Sequence, residues 1–402
     1  MLEKLHALLE SRYQEMVEIR RYLHQFPEVS FKEFHTAKYI GDYYTDLSIP
    51  HQTNVGGNGV VAKIVGALPG KTVALRADFD ALPIQDEKDV EYKSKVHGVM
   101  HACGHDGHTA TLLVLAKCLN ELKDELEGTV VFIHQHAEEY APGGAIAMIN
   151  DGCLHDVDVI FGTHLWAGVD VGTIQYRVGP VMAAADRFSI KVQGSGGHGA
   201  QPHKTKDAVV TASQLVLNLQ QIVSRRVNPI DSAVISVGSF MAENAFNIIA
   251  DSAKLVGTVR TFNDEVRDQI EAEIDTVAKA TCALNGSTYE YVFDRGYPAV
   301  VNHKAETDYL VEVASTIDDV QTVEETEPHM GGEDFSYYLR HVKGTFFFTG
   351  AKPEGVEVAY PHHHPKFDIN EKALLVAAKT LGAATVMYHQ HEKLNLVPTS
   401  QQ

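Results

Sequence analysis

DRFSIKVQG, residues 186–194, opens the stretch whose element order decides the fold. It reads as a strand. A long helix follows at 206–225 (KDAVVTASQLVLNLQQIVSR), then strands at 232–242 (SAVISVGSFMA) and 253–262 (AKLVGTVRTF). A second helix at 265–284 (EVRDQIEAEIDTVAKATCAL) and a strand at 288–296 (TYEYVFDRG) complete a βαββαβ order. That order is the split-βαβ, ferredoxin-like arrangement of an α+β unit.

The chain on either side has a different pattern. Apolar strand-like runs at 59–68, 71–80, 128–139 and 158–166 accompany helical periodicity at 1–25, 32–47 and 107–124. Several of these runs are apolar on both faces, as strands are when helices cover a sheet from each side. The same pattern resumes after Pro298, with a strand at 344–350 (GTFFFTG) and a closing helix at 372–391. The predicted fold is therefore α/β: a doubly wound domain, residues 1–184 and 298–402, interrupted by an inserted ferredoxin-like domain at 185–297. GALPGKT (66–72) approaches a phosphate-binding loop, but Gly66 and Gly70 enclose three residues where that loop needs four. With a strand on each side and Pro69-Gly70 as a turn signal, it reads as a hairpin.

Composition narrows the function classes. The 402 residues are 44% hydrophobic and 22% charged, which fits a soluble globular protein. A formal net charge of −19 argues against nucleic acid as a partner, because phosphate binding needs a basic surface. No run is apolar over the length of a membrane span. MLEKLHALLESRYQEM has no signal-peptide core, and four scattered cysteines suit a reducing compartment, so a cytoplasmic protein is expected. Of the 22 histidines, eleven fall at 101–108, 134–136, 164, 198–203 and 362–364. Clusters so far apart point to one site assembled by folding.

In HACGHDGH (101–108), Cys103 and His105 stand two apart and project to one side of an extended segment. Thiolate and imidazole are good zinc-type ligands, though the octet alone leaves a metal site, a thiol with its base, and a plain polar loop all open. An apolar strand ends in Glu138 and Glu139 (HQHAEE, 134–139). One acid can fix a metal while the other takes a proton from water. His164 follows another buried strand, and one of the histidines His362, His363 and His364 offers a further ligand from a loop that favours exposure. In GSGGHGAQPH (194–203), His198 reads as a proton or oxyanion donor. MGGEDFSYY (330–338) reads as a helix start whose amides can hold an anionic group. The chain contains neither a G-x-S-x-G elbow nor an H-E-x-x-H motif.

Nine segments in order, RRYLHQFPEVSFKE (20–33), LRADFDALPI (75–84), MHACGHDGHTA (100–110), HQHAEE, GTHLW (162–166), GSGGHGAQPH, NIIADSAKLVGTVRTF (247–262), MGGEDFSYY and HHPKFDINE (363–371), resemble the M20 family of metallohydrolases. The resemblance is to its branch of N-acyl-amino-acid and auxin-conjugate amidohydrolases. It implies two divalent ions per subunit, zinc or manganese with cobalt or nickel as alternatives. Cys103, His105, Glu139, His164 and His363 match the ligands, and Glu138 matches the general base acting on a metal-bridged water. His198 matches a residue of the inserted lid domain that reaches a partner subunit's site, and Asn247 matches a substrate-binding residue. A homodimer or higher homo-oligomer through the lid is implied, as is hydrolysis of N-acyl-L-amino acids to a carboxylate and a free amino acid.

Departures from the family pattern are informative. Asp78 stands where many M20 peptidases have a ligating histidine, so Asp78 and Asp80 are given supporting roles only. Arg260 and Arg295 are assigned no substrate contact. Three rivals remain: a dipeptidase or carboxypeptidase of the same family, a cysteine amidase using Cys103 with His105, and a non-catalytic metal-binding protein. The presence of Glu138 argues against the last.

Overall fold

A computed structural model of the chain describes residues 1–395. They form two compact units, one of residues 1–181, 301–327 and 334 onward, the other of 182–300 and 328–333.

The first unit is built on an eight-stranded sheet. Its early strands are β1 (His51–Val55), β2 (Gly59–Val65), β3 (Leu68–Asp78), β4 (Glu127–Gln135), β5 (Val159–Trp166) and β6 (Thr173–Tyr176). Two later strands, Thr322–Glu325 and Lys343–Gly350, complete it. The order is β1, β2, β4, β3, β5, Lys343–Gly350, β6, Thr322–Glu325. In the centre, β4, β3, β5 and Lys343–Gly350 run parallel, while β1 and β2 lie antiparallel at one edge and β6 is antiparallel to Lys343–Gly350. The sheet is thus mixed, with a parallel centre of nearly continuous buried residues. Helices Tyr13–Gln25, His105–Glu121, Lys304–Ala314 and Lys372–Asn395 pack around it.

The expected hairpin at 66–72 is corrected. β2 and β3 do not pair, because β4 lies between them. Gly66 N–H bonds to Gly128 O at 2.8 Å and Leu68 N–H to Leu126 O at 3.1 Å, so the connection zips onto the segment entering β4. Local turn signals could not reveal a strand inserted from sixty residues further on.

The second unit is a four-stranded antiparallel sheet, in the order Ala233–Met241, Ser252–Thr261, Ala184–Gln193, Thr288–Asp294. Helices Ala208–Arg225 and Asp264–Leu284 cover it through Leu215, Leu219, Ile222, Ile270 and Ile274. The segment 328–333, placed with the first domain by sequence, packs with this unit. Ala183 N–H bonds to His329 O at 3.0 Å and Gly331 O at 3.1 Å, a non-local pairing with no sequence signature.

One buried ion cluster ties the first unit's layers together. Arg20, fully buried, reaches Asp106 at 2.9 Å, Asp368 at 2.8 Å and Glu371 at 3.2 Å. Burial alone would raise the Asp106 carboxyl, but Arg20 and then His24 hold it well below its usual range. A depressed carboxylate contributes stability above its ordinary pKa and loses it as pH falls through the folded value. Replacing Arg20 by methionine should therefore cost about 3–5 kcal/mol at neutral pH, because three carboxylates lose their common partner. The shift of the denaturant midpoint measures it, and the penalty should shrink on acidification.

Candidate active site

Four parallel strands deliver their carboxyl ends to one edge of the sheet, where ligands gather in α/β proteins. Asp78 ends β3 and Asp80 follows it. Glu138 and Glu139 follow β4, and His164 lies near the end of β5. The loop after Lys343–Gly350 brings His362 and His363, and the start of helix His105–Glu121 brings Cys103 and His105. Gly104, at φ +91°, makes the turn into that helix.

Donor atoms converge there. Cys103 Sγ lies 3.4 Å from His164 Nε2, and Cys103, His105 and Glu139 offer donor atoms within 4.8 Å of one another. His105 Nε2 is 3.8 Å from Glu139 Oε1 and 4.0 Å from Glu138 Oε2, while His363 Nε2 is 3.3 Å from Glu139 Oε2. His105 Nε2 and Glu139 Oε1 are both buried without a hydrogen-bond partner. Buried polar atoms left unpaired are costly, and a lone pair facing a carboxylate oxygen is answered by a cation. The donor set of sulfur, imidazole and carboxylate fits a zinc-type divalent ion.

The surrounding hydrogen bonds aim these atoms. His105 Nδ1–H donates to the Asp80 carbonyl at 3.0 Å, leaving the Nε2 lone pair facing the site. His164 Nδ1–H donates to Leu165 O at 2.9 Å, with the same result for its Nε2. The Asp80 carboxylate accepts from Ser30 Oγ at 2.7 Å and from the backbone N–H groups of Glu138 and Glu139, each at 3.0 Å. The pair of glutamates is turned by Ala137, whose φ of 53° places a non-glycine residue in the left-handed region. Ala137 N–H is held by the buried Glu33 carboxylate at 2.9 Å. Sequence reasoning assigned Asp80 no more than support and did not single out Glu33; the HQFPEVSFKE and LRADFD segments were the available signals.

Two histidines sit close by in different roles. Asp78, His105 and His108 cluster tightly enough to suggest a ligand trio. His108, however, uses both ring nitrogens: Nδ1–H donates to Asp78 at 2.6 Å and Nε2 accepts Leu165 N–H at 2.9 Å. Asp78 is also held by Arg76 at 2.6 Å, and its Oδ2 lies 3.7 Å from His105 Nε2. His362 is correspondingly committed. Its loop is largely exposed, as expected, but the His362 ring is only partly so, packing on Trp166 at 4.6 Å, Phe367 at 4.8 Å and His164 at 5.1 Å. Its Nε2 accepts Ala167 N–H at 3.3 Å, which leaves Nδ1–H facing Cys103 Sγ at 3.7 Å. His363, at φ 66°, turns the other way toward Glu139.

The electrostatics favour a cation and disfavour a free thiolate. Burial opposes the charged imidazole of His105, yet Asp78, Asp80 and Glu139 push it up to about 10, so a metal ion bound at Nε2 would displace a proton there. Burial, then Glu139, Glu138 and Asp78, hold the Cys103 thiol well above its usual range. Nucleophilic cysteines occupy the opposite, electropositive setting, which counts against the cysteine-amidase rival. Burial and the neighbouring histidines keep His164 neutral, the form that ligates metals.

His198 and Asn247 lie in the second unit, both exposed, on one small ribbon in which Gly197–His198 pairs with Ile248–Ile249. His198 Nδ1 accepts Ala200 N–H at 3.1 Å, so Nε2 carries the outward proton. Arg295 is engaged by Glu271 and Asp268, and Arg260 bonds to Thr258 and its own strand.

A buried cluster of thiol, imidazole and carboxylate donors with a second glutamate beside it defines a metal-dependent hydrolase. Residues 74–386 match Peptidase family M20/M25/M40, and the chain belongs to that family. It is 63% identical over 388 residues to the protein YhaA of Bacillus subtilis (strain 168), which carries an amidohydrolase name, with 96% of this chain and 98% of that one covered. It is 44% identical over 306 residues to an N-acyl-L-amino acid amidohydrolase of Geobacillus stearothermophilus, covering 75% and 81%. The crystal structure of the Bacillus subtilis YXEP protein, described as a dinuclear metal-binding peptidase of the M20 family, superposes with a TM-score of 0.83 at 35% identity, covering 95% and 99%. The chain is accordingly a metal-binding amidohydrolase or peptidase. Among the described residues no helix is long and apolar enough to cross a membrane.

Two measurements test the site. Asp80→Ala should weaken metal affinity by about 10–100-fold in competition with a chelator, since it frees the turn carrying Glu138 and Glu139. Trp166, the sole tryptophan, has its ring 5.4 Å from that of His164, so stripping metal should change its emission and metal return should restore it.

Proposed function

We propose that the protein hydrolyses the amide bond of N-acyl-L-amino acids, giving a carboxylate and a free amino acid. The observation that carries this reading is the pair of unpartnered buried atoms, His105 Nε2 and Glu139 Oε1, with the Glu138 carboxylate 4.0 Å from the former. Cys103, His105, Glu139, His164 and His363 would hold two divalent ions of zinc or manganese type. When bound, the ions supply Lewis acidity and acidify water.

Glu138 is the base. It takes a proton from the attacking water, whose oxygen bonds to the amide carbon. The carbon–nitrogen bond then breaks as Glu138 returns the proton to the leaving nitrogen. The two jobs of the adjacent glutamates are separable because Asp80 holds each backbone amide independently. His198 is assigned to the developing oxyanion in the site of a partner subunit, supported by its exposure and by the Nε2–H that remains when Nδ1 accepts Ala200 N–H, and Asn247, on the same ribbon, to substrate binding. Association of two copies through the second unit is supported by the exposed Val210 and Leu217 on helix Ala208–Arg225.

The test is amine release from a panel of N-acyl amino acids and matching dipeptides, using chelated protein with and without zinc or manganese. Metal-dependent turnover preferring the acyl amino acids is expected. Preference for dipeptides would move the protein to the peptidase side of the family, and full turnover without metal would overturn the site. Glu138→Gln should lower kcat by about 10²–10⁴-fold while leaving metal content unchanged.

A further inference from the structure

Two large aromatic side chains stand exposed beside the catalytic glutamates. Phe31 is 41% exposed and Tyr140, next in the chain after Glu139, is 69% exposed. They are not scattered surface residues. The Phe31 ring meets His136 edge-on at 5.9 Å and Tyr140 edge-on at 6.5 Å, so the three rings form one cluster. Burial lowers the His136 pKa, so its ring packs there as a neutral imidazole.

The position of Phe31 is heavily determined. It sits at φ 65°, in the left-handed region that a bulky residue occupies only under constraint. The constraint comes from its neighbours. Ser30 bonds to Asp80 at 2.7 Å, and Glu28 O accepts Ala81 N–H at 2.8 Å. One oxygen of Glu33 accepts both Phe31 N–H at 2.8 Å and Ala137 N–H at 2.9 Å, while the other takes Asn58 Nδ2 at 2.8 Å. The loop bearing Phe31 and the turn bearing Glu138 are therefore stapled through one fully buried carboxylate. A surface loop with no task needs no such fixture.

We propose that Phe31, backed by His136 and Tyr140, is the wall of the subsite for the substrate's acyl group, and that it selects aromatic and longer apolar acyl chains over acetyl. This rests on the amidohydrolase reading. The choice of the acyl end follows from charge. Phe31, His136 and Tyr140 present aromatic rings and no ammonium or guanidinium group, so the wall gives the free carboxylate of an N-acyl amino acid no partner and accepts its uncharged acyl end; Lys32, next in the chain, is solvent-exposed. An exposed apolar cluster with a few convergent polar groups is how small-molecule pockets hold one end of a ligand.

The experiment separates binding from turnover. Metal-loaded Glu138→Gln protein is titrated by calorimetry with the N-benzoyl and N-acetyl derivatives of one amino acid. The benzoyl compound should bind roughly tenfold tighter or more. Adding Phe31→Ala should erase most of that difference with acetyl affinity changed by less than about twofold, Phe31→Leu should restore part of it, and Tyr140→Ala should give a smaller loss in the same sense. Equal losses for both ligands, no preference at the outset, binding of neither, or a change in preference for the amino-acid side chain would each overturn the wall. Turnover by the unmodified protein reports on the amidohydrolase reading separately: cleavage of dipeptides alone would sink that reading, while the titrations would still decide the role of Phe31.

Discussion

The Asp80 carboxylate is the constraint on which the site depends. It accepts the hydroxyl of Ser30 and the two successive amides of Glu138 and Glu139, while its own carbonyl fixes the His105 ring. One buried residue thus sets the aim of an imidazole from the helix start and of two carboxylates from the end of β4. Buried carboxylates are tolerable when they accept several hydrogen bonds, and those bonds, with His105, lower the Asp80 pKa against the effect of burial. The fold contributes the rest by placing Asp80 at the carboxyl end of a strand flanked on both sides by parallel partners.

Charge balance explains why a chain with so many acids keeps this cluster buried. Asp78, Asp80 and Glu138 are all buried, with Glu139 close beside them. Arg76 answers Asp78 and also Asp334 at 2.8 Å, so the protein's own cations are spent on the periphery. The centre retains a negative excess that His105 alone does not neutralise. Burial, together with that excess, holds Cys103 as a thiol.

Much of this was legible in the sequence because the informative residues are local. The βαββαβ order of 186–296 corresponds to the four-stranded sheet and its two helices. Cys103, His105, Glu138, Glu139 and His164, read from short motifs, come from one helix start and the carboxyl ends of two sheet strands. What was not legible is non-local. The insertion of β4 between β2 and β3 turned an apparent hairpin into a crossover. Glu33 and Asp80 act through amides more than fifty residues away, and a carboxylate's partners leave no mark on its own neighbourhood. Within HHH, only the left-handed backbone of His363 separates its direction from that of His362, and nothing in three identical letters encodes that difference.

The parallel centre of the sheet also fixes when the enzyme comes into being. The donors at the edge arrive from β3, β4, β5 and, last, from the loop beyond Lys343–Gly350, a strand that pairs with β5 across the whole inserted unit. During synthesis the ribosome must therefore release the whole inserted unit and the strand Lys343–Gly350 before His363 can meet Glu139. Closure of the donor cluster is thus a late event in synthesis, and until Lys343–Gly350 has docked against β5 the Glu139 carboxylate waits for its His363 partner.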